Sequence, residues 1–165
     1  MQNKFNIEEV KKFIENSSLE TKIYIGSDSE RFRKKNLWYA DYTTAIVVHI
    51  DGNKGCRVFG YSEVERDYDQ NKNKPRMRLM NEVMRTASMY LELHDAIGER
   101  KFELHLDINP DEIHGSSCVI QEAVGYIRGM CNVIPMVKPS SFAASFCADR
   151  LKEILSIQDD NRKIA

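Results

Sequence analysis

The sequence predicts a mixed α/β domain, with a five-stranded sheet in the order βββαβαβα, helices on both faces and one further helix at the N-terminus. Three observations predict it. Three runs rich in Val, Ile, Thr and Tyr open the domain in meander order, helical and strand-like stretches alternate after them, and an amphipathic stretch precedes the whole. A meander followed by αβ alternation sets parallel strands beside antiparallel ones, and such sheets are covered on both sides. The crossovers are expected to be right-handed.

The elements are read in chain order. Residues 6–17 are a helix, because Ile7, Val10, Phe13 and Ile14 recur at helical spacing. Lys22 to Ile25 is a short strand that Gly26-Ser27-Asp28-Ser29 interrupts, and Trp38 to Ile50 is a long one. Asp51-Gly52-Asn53 signals a hairpin, from which Cys56 to Val64 returns as a third strand. Pro75 opens a helix that runs to about Ile97, where Gly98 stops it. Phe102 to Ile108 is a fourth strand, closed by Asn109-Pro110. Residues 116–130 are helical, with Ser116 and Ser117 as expected N-caps. Val133 to Val137 is a short buried fifth strand, and Lys138-Pro139-Ser140-Ser141 leads into a last helix ending near Ile157.

Composition bounds the function. At 165 residues and 42% hydrophobic content the chain suits one domain that needs no disulfide or metal staple. We divide it into an N-terminal helical extension (1–20) packed on the domain, the domain itself (21–157) and a polar tail (158–165). No apolar run approaches the ~20 residues of a membrane span, and Met1 to Val10 lacks the apolar stretch of a signal peptide. A cytoplasmic protein without a membrane partner is expected. Cys56, Cys118, Cys131 and Cys147 form no Cys-x-x-Cys pair and read as buried free thiols. Net charge is −1, so a nucleic-acid partner must be recognised by local clusters rather than by overall charge.

Four acids are candidates for one site. Ligands of open α/β sheets gather beyond the carboxyl ends of strands, where Asp28 and Asp107 stand. In the long helix Leu79, Val83, Ala87, Tyr90 and Ile97 form an apolar stripe, with Glu82 on its flank and Glu92 turned to solvent. In the last helix Asp149 follows the line of Phe142, on a face shared with Ala143, Phe146, Leu151, Ile154 and Leu155. Each acid has an ordinary alternative: a turn residue for Asp28 or Asp107, an arginine partner for Glu82, a structural ion pair for Asp149. Gathered together, the four would repel one another and hold protons unless cations neutralise them. An oxygen-only set selects hard ions such as Mg²⁺ or Mn²⁺. Two such ions, ~4 Å apart, suit phosphodiester cleavage.

Basic residues flank these acids. Arg31, Arg33 and Lys34, with Lys35, follow Asp28. Lys74 and Arg76, with Lys72 and Arg78, open the helix that carries Glu82, and Lys138 precedes the helix that carries Asp149. They form a candidate phosphate-gripping rim, although basic loops are commonly no more than solvated surface.

The segments Ile25-Gly26-Ser27-Asp28-Ser29, Leu106-Asp107-Ile108-Asn109-Pro110 and Lys138-Pro139 through Ala148-Asp149-Arg150 resemble the YkuK-type family of predicted RNase H-like nucleases, over about residues 20–152. The resemblance implies an RNase H-like fold, with catalytic and metal-binding roles falling on Asp28, Glu82, Asp107 and Asp149. It also implies supporting roles for Ser29, Asn109 and Lys138. Better-known RNase H enzymes open the helix with Arg-Met-Glu-Leu. Here Arg76-Met77-Arg78-Leu79 has arginine at the acid's place, and the acid is expected one turn on, at Glu82.

The expected function is thus a divalent-metal-dependent nuclease acting on RNA, DNA or hybrid. The alternative is a non-catalytic nucleic-acid-binding or assembly module that keeps the fold. The remaining candidates are weaker. His114 reads as a surface loop residue, His94 as a helix-surface residue, and His49 and His105 as satisfied strand residues. Trp38 and Tyr39 could stack bases, but core packing is the commoner role for aromatics at a strand start. No Gly-x-Ser-x-Gly elbow supports a serine hydrolase, and no Gly-rich loop supports nucleotide binding.

Overall fold

In the computed structural model the backbone is described for residues 5–164 and the side chains for residues 5–156. The first four residues of the N-terminal extension, Ala165 and the side chains of the expected polar tail lie outside this range. The elements are α1 (Ile7–Glu15), β1 (Lys22–Lys34), β2 (Leu37–His49), β3 (Cys56–Arg66), α2 (Arg76–Ile97), β4 (Lys101–Leu106), α3 (Ile120–Cys131) and α4 (Ala148–Ile164). A 3₁₀ turn, Gly115–Val119, leads into α3, and a π-helical turn, Ala143–Cys147, leads into α4.

The sheet is mixed, in the order β3-β2-β1-β4. β2 pairs antiparallel with both β1 and β3, and β4 lies parallel to β1. Odd-numbered residues of β1 point to one face, where Ile23 and Ile25 meet Ile46, Leu104, Leu79 and Val83 in the main core. α1 and α2 cover this face, with Val10 and Ile14 of α1 buried in the same core. The π turn and α4 cover the other face. They approach closely because Gly26 has no side chain: a Cβ there would stand 2.5 Å from the Ala144 nitrogen.

Two expectations about the sheet are corrected. β1 does not stop at Ile25 but runs through Gly26-Ser27-Asp28-Ser29 to Lys34. The continuous ladder to β2 overrides the turn propensity of these residues, and the Ser27 hydroxyl is held by Thr44 (3.0 Å) and Thr86 (3.2 Å). The turn comes later, at Lys35-Asn36, whose positive φ values of 49° and 62° suit a two-residue hairpin. The expected fifth strand forms no ladder among the described residues. Val133 to Val137 makes a single parallel bridge, His105 to Met136, with Leu106 N donating to Met136 O (2.9 Å) and Met136 N to Leu104 O (2.8 Å). Pro135 has no N–H to continue the pairing, and Ile134 is 74% exposed rather than buried.

Smaller corrections follow from local geometry. The π turn rotates less per residue than an α-helix, so the helical phase expected from Phe142 onward slips. Phe146, placed on the buried face by α-helical spacing, is 75% exposed, whereas Ala144 and Ala148 are buried. The backbone of α4 continues past Ile157 to Ile164. Ser116 does not cap a helix; its hydroxyl accepts from Asn109 N (2.9 Å) and pins the loop after β4. Of the four thiols, all free, Cys131 is buried, Cys147 half-buried, and Cys56 and Cys118 exposed.

Candidate functional site

Strand register brings two of the four acids side by side. Ser27 of β1 pairs with Leu106, the last residue of β4, so the next positions, Asp28 within β1 and Asp107 just past the end of β4, come side by side. Both belong to the alternation row of Tyr24 and Gly26, on the face covered by the π turn and α4. Asp28 is therefore a mid-strand residue, opposite Thr43, and not a turn residue. The close seating of the last helix on Gly26 sets Asp149, at the start of α4, against Asp28, with which it shares a hydrogen bond.

The electrostatics follow. Burial first, then the Asp107 carboxylate, pushes the Asp28 carboxyl up to about 7; the bond with Asp149 adds to this and Lys152 opposes it. Lys152 Nζ lies 3.8 Å from Asp28 and 3.6 Å from Glu30. Asp107 Oδ1 accepts from the Ser145 hydroxyl (2.8 Å) and faces Lys138 Nζ at 2.9 Å.

Glu82 approaches from the opposite face. It is 3% exposed on α2, and its Oε1 accepts from the Ser29 hydroxyl, whose residue points to the α2 side of β1. Arg78 Nη1 donates to Ser29 Oγ (2.8 Å) and Ser29 O (3.1 Å) and stands 3.8 Å from Glu82. Burial first, then the charge of Asp28, holds the Glu82 carboxyl well above the usual carboxylate range, against the pull of Ser29 and Arg78. Glu82 thus has the arginine partner that was its ordinary alternative, and it also lies within the electrostatic reach of Asp28 and Asp107.

The candidate substrate residues scatter more widely. Lys138 and Ser29 touch the acids. Arg31 is engaged internally, with Asp67 at 2.5 Å and the Asp69 carbonyl at 2.9 Å. Arg76 pairs with Glu122 of α3 (2.8 Å), while Arg33, Lys34 and Lys74 are exposed. Asn109 shapes its own loop, its Oδ1 accepting from Asp111 N (3.0 Å). His94 and His114 are exposed, as expected, and His105 is fully buried, its Nδ1 accepting from Ala143 N (3.1 Å).

Sequence reasoning missed Lys152 and Ser145 as partners of the acids, and it foresaw an arginine for Glu82 without naming Arg78. The first two were accessible in principle: Ser145 and Lys152 stand four residues before and three after Asp149, the spacings at which helical side chains become neighbours. The π turn between Ser145 and Asp149 blurs that signal.

Whether these residues suit hard cations is answered by the donor chemistry. Asp28, Asp107 and Asp149 offer only carboxylate oxygens, and burial together with repulsion from Asp107 and Asp149 pushes the Asp28 carboxyl up to about 7. That is the environment a divalent cation relieves. As the side chains stand, no three His, Cys, Asp or Glu among the described residues are grouped to hold a metal ion; Lys138 and Lys152 lie against Asp107 and Asp28 instead. The set suits a hard cation in its donor chemistry, while lysines stand where cations would have to bind.

Comparison with known proteins agrees with this architecture. The family model described as Ribonuclease H-like matches residues 6–153, which takes in the sheet, α1 to α3 and the start of α4. Searches of curated proteins and of solved structures found no match. Among the described residues no helix is long and apolar enough to cross a membrane. The chain belongs to the ribonuclease H-like family and has its nuclease-like α/β fold.

Proposed function

We propose that this protein is a divalent-metal-dependent nuclease that hydrolyses nucleic-acid phosphodiester bonds. The observation that carries the reading is the placement of Asp28 in β1 beside Asp107 at the carboxyl end of the parallel strand β4, closed by Asp149 from the last helix. Asp28 and Asp107 would hold the cations between them, with Asp149 and Glu82 completing the set. Two Mg²⁺ or Mn²⁺ ions, when bound, supply an activated water and a counter-charge for the leaving oxygen. The chain's own contribution is orientation. Ser145 fixes one oxygen of Asp107, Ser29 and Arg78 fix Glu82, and Lys138 and Lys152 hold the acids apart until cations take their place. Once released, both lysines are near enough to the acids to meet a substrate phosphate. Arg33, Lys34, Lys74 and Arg76 extend this cationic rim, and Asn109 shapes the loop beyond Asp107. The cytoplasmic setting and the nucleic-acid partner belong to the same proposal.

A second reading, a binding or assembly module without turnover, is favoured by one observation: Asp28, Asp107 and Glu82 already have cationic partners within the chain. Cleavage of labelled RNA, DNA and hybrid substrates in Mn²⁺, comparing the wild type with Asp107→Asn, separates the two. The nuclease reading expects metal-dependent cleavage that Asp107→Asn removes. Cleavage that survives the substitution unchanged rejects the site, and binding without cleavage favours the second reading.

A further inference from the structure

The β1–β2 hairpin carries a feature that the carboxylate site does not use. Trp38, the single tryptophan of the chain, stands opposite Arg33 in the ladder and is 40% exposed. It does not pack into the core as its position at a strand start suggested. The Arg31 guanidinium lies 4.3 Å from its ring centre and Arg33 5.9 Å. Arg31 is itself anchored by Asp67 and the Asp69 carbonyl, so the cation and the ring are held together. Across a cleft of about 430 Å³ stands Tyr68, 61% exposed, with Arg66 5.4 Å from its ring. Arg66 also lies 5.5 Å from Tyr39, which stacks on Phe32. Lys34, Lys35 and Lys72 rim this end of the molecule, and among the described residues none of them, nor Arg33 or Arg66, lies within ion-pair distance of a carboxylate.

Exposed rings held beside fixed cations, with free cations around them, suit a ligand that has flat π faces and regularly spaced negative charges. Single-stranded nucleic acid has both. A duplex does not present them together, because its base faces are already stacked on one another. We propose that the cleft between Trp38 and Tyr68 binds unpaired nucleotides, their bases stacking on the two rings and their phosphates meeting Arg33, Lys34, Lys35 and Lys72. The inference deepens the nuclease reading by naming its substrate class as a strand with an unpaired segment, and it rests on that reading only for the link to cleavage. Arg31 and Arg33 share their face of β1 with Ser29, so the patch continues the row that ends at Ser29 and its partner Glu82, on the face of the sheet opposite Asp28 and Asp107.

The single tryptophan makes the test direct. Wild-type protein in EDTA is titrated with a labelled single-stranded oligonucleotide, with its duplex, and with heparin as a charge-only probe. Intrinsic fluorescence and the anisotropy of the label are read together. Expected are saturable quenching of Trp38 by the single strand, little by the duplex or heparin, and an affinity loss of about 5–100-fold in Trp38→Ala. Trp38→Phe, which keeps a ring, restores most of the affinity and guards against misreading a misfolded alanine variant. Absence of single-strand binding overturns the proposal. So does binding with tryptophan emission unchanged, or Trp38→Ala binding as tightly as the wild type. Because no metal is present, these outcomes are independent of cleavage. If the quenching is found but Mn²⁺-dependent hydrolysis is not, the nuclease reading fails and the nucleotide cleft stands.

Discussion

Asp28 and Glu82 occupy the two faces of the same sheet, and their surroundings differ in kind. On the α4 side, Asp28 meets Asp107 and Asp149, three carboxylates whose nearest cations are flexible lysines. On the α2 side, Glu82 is sealed in the core, tied to the Ser29 hydroxyl and braced by Arg78. Both carboxyls are held above their ordinary range, yet by different balances. Burial is the first cause for each; after it the Asp28 carboxyl answers to Asp107 and Lys152, and the Glu82 carboxyl to Asp28, Ser29 and Arg78. The comparison teaches that the acids are not four equal ligands. The α4 face holds charge that a cation can relieve, and the α2 face holds a buried carboxyl that is tied to Ser29 and Arg78 and positions β1.

The largest expected effect breaks that comparison directly. Asp28→Asn should lower Mn²⁺-dependent cleavage by about 10³-fold, the loss of several kcal/mol of charge stabilisation. Glu82→Gln, which keeps a hydrogen-bond acceptor for Ser29, should cost only about 10–100-fold. Initial rates on one labelled substrate decide it, and equal losses would dissolve the distinction between the faces.

Next in size is a pH effect without metal. The folded state keeps a proton on Asp28 up to about 7, whereas an unfolded Asp loses it near ~3.9. Its contribution to stability is therefore complete below about pH 4 and is lost as pH rises through about 7. Glu82 adds with the same sign. In EDTA, urea unfolding of the wild type should show stability falling across this window. Asp28→Asn should flatten the fall by on the order of 2–4 kcal/mol, at ~1.4 kcal/mol per tenfold change in proton affinity. A wild type whose stability rises with pH over that range contradicts the crowding of these acids.

The smallest effect sharpens the role of the α4 face. Gly26→Ala sets a methyl against the Ala144 backbone, which cannot swing aside as a side-chain end can. Destabilisation of about 1–3 kcal/mol is expected from overpacking, together with separation of Asp149 from Asp28. Denaturant unfolding measures the first, and weakened Mn²⁺ stabilisation in thermal melts reports the second. An unchanged melting curve would mean that the last helix is not seated on Gly26.

The acids and most elements were legible because side-chain type and period are local properties. The stripe on α2 with Glu82 at its edge, the Gly98 stop and the three opening strands all follow from spacing. What stayed hidden was decided by partners distant in sequence. Ser-Asp-Ser reads as a turn until Thr44 and Thr86 hold Ser27 in a ladder. Val133 to Val137 reads as a strand until Pro135 meets β4 without a donor. The last helix reads as regular until its π turn shifts Phe146 to solvent. Arg31 reads as a free phosphate contact until Asp67 claims it.

Taken alone, then, the amino-acid order determined the long helices, the meander and the carboxylates available to a site, since backbone preference and apolar periodicity act over a few residues. Only the tertiary structure decided that Asp28 and Asp107 lie abreast, that Glu82 comes from the opposite face, and that lysines sit against the acids. Pairing register and helix seating depend on contacts between residues far apart in the chain, such as Ser27 with Leu106 and Gly26 with Ala144, and no local pattern encodes them.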